Sequence, residues 1–175
     1  MDFLLNICYN YNYRLEINEA IMKKAMFFEN AKLLNDKLHI IPLMYGSLGL
    51  EYATQENLNS DDIDILIPNV FINNSWDIFK NVLEDNGYVL IDEHEHTFIK
   101  NGVCFSYAPI EELETFAKIN LTDIECKLDF GTRFKLLSLE QYLKVYAASS
   151  KDGYRVNVRQ KKDADKILFI QKHLK

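Results

Sequence analysis

The first part of the chain changes from helical to extended spacing of its apolar residues. Over residues 17–38 the apolar side chains recur every three to four positions, with lysine and glutamate between them, and this predicts an amphipathic helix. Residues 39–45 form a short apolar run that stops at Gly46-Ser47. That run predicts a buried strand ending in a tight turn, although Pro42 is unfavourable within a central strand.

A second strand is predicted after the polar stretch 54–61. Residues 62–67 are rich in isoleucine, and Pro68 ends the run. Because side chains alternate along a strand, the three isoleucines share one face and Asp62 and Asp64 share the other. The two carboxylates are therefore expected to project to the same side of the sheet.

The middle of the chain predicts one helix and three further strands. The helix covers residues 70–86 and ends at Asn86-Gly87, a common helix terminator. Asn101-Gly102 is a strong signal for a tight hairpin turn between the last two strands. The three strands are predicted at residues 88–91, 96–100 and 103–107.

Beyond Pro109 the pattern becomes mainly helical. Ser138, with Gln141 three residues later, predicts the capped start of a helix. The fold class is therefore α/β (α+β): a single domain over residues 1–175, with a mixed-sheet core over about 1–108 and a mainly helical part over about 109–175. The other predicted elements are a short helix at 111–116, a hairpin at 125–137, a loop at 149–158 and a last helix at 161–174.

Charge and cysteine content restrict the partners and the compartment. The net charge of -6 argues against binding duplex DNA over a wide surface, whereas a local basic patch would still hold a nucleotide or a tRNA end. Cys8, Cys104 and Cys126 are widely spaced, which indicates buried free thiols in a reducing compartment. The first sixteen residues resemble neither a secretory signal nor a membrane span. We therefore predict a cytoplasmic protein with no membrane partner.

The glycine-serine turn and the two aspartates form a coherent site for phosphate and metal. Gly46 lets the backbone approach a phosphate closely, and Ser47 offers a hydroxyl and an N–H. A helix beginning near Leu48 would point its positive end at the same anion. Asp62 and Asp64 offer only oxygen ligands, which favour Mg²⁺ or Mn²⁺ over zinc.

This arrangement resembles the DNA polymerase β-like nucleotidyltransferases. Gly46-Ser47 is followed, after fourteen intervening residues, by the Asp62-Ile63-Asp64 pattern of that superfamily. Residues 137–149 and 159–171 are similar to segments of AbiEii-type toxins and antibiotic-modifying nucleotidyltransferases. The resemblance implies transfer of a nucleoside monophosphate from an NTP to a hydroxyl on a small molecule, a tRNA or other RNA end, or a protein. It also implies that Lys144 contacts phosphate and that Asp163 is an acid near the acceptor.

Several alternatives accompany this interpretation. Many superfamily members carry a third carboxylate on a later strand, and residues 103–107 contain none, so a catalytically inactive nucleotide- or partner-binding protein is the alternative function. Asp163 is the first candidate to replace the missing acid, and the acidic and histidine-containing run 92–96 is the second. Taken alone, Asp163 could also be explained by the helix dipole, and Lys144 by solvent exposure.

Overall fold

The computed structural model describes the backbone of residues 2–150 and 153–175, and the side chains of residues 19–150 and 162–175. Its strands are β1 (Leu43–Met44), β2 (Ile63–Ile67), β3 (Val89–Asp92), β4 (Thr97–Lys100), β5 (Val103–Pro109), β6 (Glu125–Asp129) and β7 (Thr132–Leu136). Its α-helices are α1 (Asp2–Leu38), α2 (Gly46–Thr54), α3 (Val70–Asn73), α4 (Trp76–Glu84), α5 (Glu112–Phe116), α6 (Leu139–Ser149) and α7 (Gly153–His173). A 3₁₀ turn, Leu121–Asp123, precedes β6.

The strands form one mixed sheet in the order β3-β4-β5-β2-β1-β7-β6. The central strand β2 pairs in parallel with β5 and antiparallel with β1, and β1 pairs in parallel with β7. In this register Asp64 lies opposite Ser106 of β5. Helices flank the sheet, so the predicted α/β class with a mixed sheet and C-terminal helices is confirmed.

The two faces of β2 contribute to two different hydrophobic clusters. Ile63, Ile65 and Ile67 are fully buried against side chains of α1 and α4, as the alternation predicted. Leu66 points the other way and joins the cluster formed with α6 and α7. Asp64 lies two residues before Leu66 and so faces the same side. The strand thereby buries one face in the core and directs its carboxylates towards the C-terminal helices.

The predicted strand at 39–45 is much shorter in the structure. Only Leu43–Met44 pairs with neighbouring strands, because the preceding residues turn the chain away from α1. His39 has a positive φ of 55°, and the Ile40 N–H donates to the carbonyl of Leu34. Pro42 has no N–H to give, although its carbonyl accepts from the N–H of Lys135 at 2.8 Å.

The predicted helix at 70–86 is two helices, because the chain breaks between α3 and α4. The N–H groups of Asn74 and Ser75 both donate to the carbonyl of Val70, which closes α3 before α4 begins. Asparagine and serine are weak helix formers, and the break lets Trp76 stack on Phe79 with ring centroids 5.9 Å apart.

Two helices begin earlier than their apolar spacing predicted. Helix α1 begins at Asp2 rather than near residue 17, and α7 begins at Gly153 rather than near residue 161. The predicted loop at 149–158 is correspondingly short, and its Lys151 and Asp152 lie outside the described residues. Neither early segment carries a regular apolar stripe, so periodicity gave no signal there.

Two local turn predictions are confirmed. Asn101 and Gly102 both have positive φ angles, 51° and 79°, as a two-residue hairpin turn requires. Ser138 and Gln141 form a capping box at the start of α6, in which each side-chain oxygen accepts from the other residue's backbone N–H.

The prediction of buried free thiols is met only in part. Cys104 and Cys126 are free thiols, but Cys126 is exposed rather than buried because it lies on the edge strand β6. The side chain of Cys8 lies outside the described residues. Within the described part of the chain, no helix is long and apolar enough to cross a membrane.

Candidate active site

The turn between β1 and α2 places backbone N–H groups at the edge of a cavity. Gly46 has a φ of +62°, which only glycine adopts without strain, and α2 begins there. Tyr45 precedes the helix, and its side chain does not cap the first turn. An anion at this position would meet the positive end of α2, and Ser47 would add a hydroxyl.

Asp64 lies directly against this turn. A Cβ atom on Gly46 would lie 2.0 Å from Asp64 Oδ2, so the close approach depends on the absence of a side chain. The N–H of Tyr45 donates to the carbonyl of Asp64 at 3.0 Å, which fixes the two strand ends side by side. The glycine is thus required both by its backbone angle and by its contact with the carboxylate.

The packing of α6 on α2 closes the site on its other side. The Tyr142 hydroxyl donates to the carbonyl of Met44 at 3.2 Å, and a Cβ on Gly49 would lie 2.0 Å from that hydroxyl oxygen. Burial raises the pKa of Tyr142 well above its usual value, so the group stays a hydroxyl and keeps donating. This contact brings α6, and α7 behind it, up to the end of β1.

A cavity of about 280 Å³ brings most of the predicted site residues together. Gly46 and Ser47 form one wall, Asp62 and Asp64 a second, and Asp163 belongs to a third. The full lining consists of Tyr45, Gly46, Ser47, Asp61, Asp62, Asp64, Tyr142, Val145, Tyr146, Ser149, Lys162, Asp163 and Lys166.

Asp163 reaches the cavity from the interior of α7. It is 5% exposed, and the hydroxyl of Ser149 donates to its Oδ2 at 2.7 Å. Because α7 begins at Gly153, Asp163 lies well beyond the first turn, and the helix dipole does not explain the position of this acid.

Lys144 does not reach the cavity. The buried stripe of α6 is Tyr142, Val145, Tyr146 and Ser149, and Lys144 lies on the opposite, exposed side of the helix. The predicted phosphate contact of Lys144 is therefore corrected, since its position in the helical repeat turns it to solvent.

Lys166 occupies the place that the prediction gave to Lys144. Its Nζ donates to Ser47 Oγ at 2.7 Å and lies 5.0 Å from the centre of the Tyr146 ring. Lys162 also lines the cavity, and both lysines flank Asp163 on α7. The spacing of three between Asp163 and Lys166 was a usable signal, because such residues share a helix face.

A second cavity, of about 610 Å³, adjoins the first and also includes Asp62 and Asp64. Ser106 of β5 stands opposite Asp64, and its Oγ is 3.0 Å from Thr97 Oγ1. Of the described residues that line this cavity, none is a lysine or an arginine. Besides the two aspartates, its acidic and histidine lining residues are His94, Glu95, His96 and Glu112.

Three residues of the run before β4, His94, Glu95 and His96, line the same cavity as Asp62 and Asp64. His96 lies against Trp76, with ring centroids 4.7 Å apart. Burial, and next the proximity of His94, lower the pKa of His96, so its imidazole is neutral at pH 7. In the described part of the chain, no group of three or more His, Cys, Asp or Glu is arranged to hold a metal ion.

Comparison with known proteins gives a sequence relative and a structural neighbour. The chain is 41% identical over 146 residues to the Bacillus subtilis (strain 168) protein described as "Uncharacterized protein YnaI", a match that covers 83% of this chain and 94% of that protein. The crystal structure of an antigenic nucleotidyltransferase-like protein from Paracoccidioides brasiliensis aligns with a TM-score of 0.57 at 16% identity, covering 84% of this chain and 74% of that chain. No protein-family profile matches the chain. The chain therefore belongs to the family of Bacillus subtilis YnaI, and it has a nucleotidyltransferase-like fold.

Proposed function

We propose that the protein is a Mg²⁺-dependent nucleotidyltransferase that moves a nucleoside monophosphate from an NTP to a hydroxyl acceptor. The observation that carries this proposal is the meeting of a glycine-serine turn, two carboxylates and a lysine around one cavity: Lys166 donates to Ser47, and Asp64 lies against Gly46. The closer likeness to AbiEii-type toxins and antibiotic-modifying enzymes stays a prediction.

The donor set fits a magnesium or manganese ion. Asp62 and Asp64 supply carboxylate oxygens, and of the described residues that line the first cavity none is a cysteine or a histidine. Mg²⁺ is usually held by one or two carboxylates together with substrate phosphates and water, so two aspartates are sufficient. When bound, such an ion would neutralise charge on the phosphates and lower the pKa of the attacking hydroxyl.

Other residues of the site would bind the phosphates, balance their charge and accept a proton. Ser47 and the first turn of α2 hold phosphate oxygens, and Lys166 and Lys162 balance their charge from α7. Asp163, held by Ser149, lines the first cavity, and the acceptor would reach it past Asp62 and Asp64, which both cavities share. Asp163 accepts the proton of the acceptor hydroxyl as the hydroxyl oxygen bonds to the α-phosphorus and the bond to the leaving pyrophosphate breaks.

The second cavity favours an uncharged or cationic acceptor over an RNA end. It opens on the same two aspartates, and its lining adds Glu95 and Glu112 without any lysine or arginine among the described residues. A polyanion placed there would meet Glu95 and Glu112 with no lysine or arginine among the described lining residues to balance its charge. The lysines lie instead in the first cavity, where a triphosphate needs them.

Thermal melting with Mg²⁺ and each of the four NTPs tests the proposal. Ligand binding to the folded state at a hundred times the Kd adds about 2.7 kcal/mol, which corresponds to about 5–10 °C for a chain of this size. We expect one NTP to give such a shift in the wild type, and the shift to require Mg²⁺ or Mn²⁺. Unchanged melting with all four nucleotides would contradict the proposal.

Replacement of Lys166 by methionine tests the corrected lysine assignment. The apolar stem would still pack on Tyr146, but loss of the charge should weaken NTP binding about tenfold or more. Lys144→Met is the matched control, because this lysine is exposed on the far side of α6. The Lys144→Met protein should bind NTP with the affinity of the wild type. Isothermal titration with Mg²⁺·NTP measures both; equal affinities in the two variants would count against Lys166.

The second candidate function is a non-catalytic nucleotide-binding protein. Ser106 favours it, because this residue occupies the register position opposite Asp64 and carries no charge. Such a protein would show the NTP-dependent melting shift but release no pyrophosphate with any hydroxyl acceptor. Pyrophosphate release in an acceptor screen therefore separates the two candidates.

A further inference from the structure

Glu51 is a buried carboxylate that the proposed chemistry does not use. It lies on α2, one helical turn after Ser47, and is 0% exposed. Its Oε2 has no hydrogen-bonding partner among the described residues. Burying a carboxylate costs folding free energy unless its oxygens are well satisfied, so this position calls for a compensating role.

The other oxygen of Glu51 holds the segment that leads into β2. Oε1 accepts the N–H of Leu58 at 3.1 Å and the N–H of Ser60 at 2.8 Å. Ser60 is two residues before Asp62 and is buried. From the opposite side, Lys23 of α1 donates its Nζ to the Ser60 carbonyl. Both backbone groups of Ser60 are thereby fixed by side chains from different helices.

This segment could not fix its own position by regular pairing. Gln55 and Asn59 have positive φ angles, 60° and 53°, which prevent a continuous helix or strand between α2 and β2. The N–H groups of such an irregular segment need side-chain acceptors when they are buried. Glu51 supplies one acceptor for two of them, from the same helix whose first residues form the phosphate turn.

We infer that Glu51 is a positioning residue that fixes Asp62 relative to the Gly46-Ser47 turn. The inference rests on the proposed function, because it assigns the metal to Asp62. A rigid link runs from the turn through α2 to Glu51, and from Glu51 through the Ser60 N–H to Asp62. Groups that orient metal-binding side chains in this way typically change metal affinity or activity by about 10–100-fold when they are removed.

The test measures the Mg²⁺ concentration that gives half of the NTP-dependent melting shift. In Glu51→Leu, which fills a similar volume but accepts no hydrogen bond, this concentration should rise about tenfold or more. Glu51→Gln keeps an acceptor oxygen and should restore most of the wild-type value. Glu51→Asp, whose carboxylate is one methylene too short to reach both N–H groups, serves as a second disrupting variant if Glu51→Leu does not fold.

The control is Ser60→Ala, which removes a buried hydroxyl that has no hydrogen-bonding partner in the described part of the chain and leaves the N–H contact to Glu51 in place. Its Mg²⁺ requirement should equal that of the wild type. If Glu51 has a purely structural role, its variants will melt at a lower temperature without ligand but show an unchanged Mg²⁺ requirement. That result overturns the inference and leaves the proposed nucleotidyl transfer intact. A wild type without any Mg²⁺·NTP shift overturns the proposed function, and the inference with it.

Discussion

If the proposed function holds, replacing Asp62 and Asp64 together by asparagine is expected to lower nucleotidyl transfer at least about a thousandfold, because the proposed metal site would lose both of its carboxylate charges. Asparagine has nearly the same shape as aspartate, and the two aspartates are only partly buried, so the fold should be retained. Pyrophosphate release with Mg²⁺, NTP and acceptor measures the effect, and circular dichroism and melting without ligand report the fold.

The control for this variant is Asp85→Asn, an exposed aspartate at the end of α4 that lines neither cavity. It changes the net charge by one unit away from the site and should leave transfer unchanged. Transfer at the wild-type rate in the double variant would contradict the proposal that Asp62 and Asp64 bind the metal ion. Loss of transfer in Asp85→Asn as well would show that net charge, and not the site, controls the rate.

Replacing Gly46 by alanine is expected to damage both stability and nucleotide binding. The new Cβ would lie 2.0 Å from Asp64 Oδ2, and the φ of +62° is strained for any residue with a side chain. The backbone strain alone costs about 1–3 kcal/mol, and relief of the clash must displace either the carboxylate or the turn. We therefore expect a lower melting temperature and loss of the Mg²⁺·NTP shift.

Gly87→Ala separates these two causes. Gly87 also has a positive φ, +83°, but a Cβ there would meet nothing within 4 Å. This variant should show the backbone penalty alone, with a smaller loss of melting temperature and an unchanged Mg²⁺·NTP shift. Equal behaviour of the two variants would mean that the contact between Gly46 and Asp64 has no influence on the site.

The half of the site that the sequence predicted well is the half defined by strand ends. Gly46-Ser47 follow one short apolar run, and the two aspartates lie at the start of the next. When two such strands pair antiparallel, the end of the first lies beside the start of the second, as for β1 and β2. Alternation along β2 then assigned the isoleucines and the carboxylates to opposite faces without reference to the rest of the chain.

The side of the cavity formed by Lys162 and Lys166 was less predictable, because their position depends on how α6 and α7 pack. The similarity of the C-terminal segments pointed to Lys144. In the structure Tyr142, Val145 and Tyr146 form the inward face of α6, and Lys144 lies on the exposed face. Lys166 was missed because nothing local shows that its helix face meets Ser47, which is more than a hundred positions earlier. The break at Asn74 was likewise hidden within an otherwise helical apolar spacing.

The pairing of β1 with β7 has a consequence for how the chain folds. Met44 pairs with Leu136, and about half of the chain lies between them. Closing so long a loop costs entropy before any contact repays it, so pairings of this kind form slowly. Residues 46–64 can meet through local contacts, whereas α6 and α7 follow β7 in the chain and meet those residues only across this long loop. A chain in which the pairing has not formed would hold Asp62 and Asp64 near the turn without Lys162 and Lys166, so the proposed nucleotide site is complete only once the long-range pairing is made.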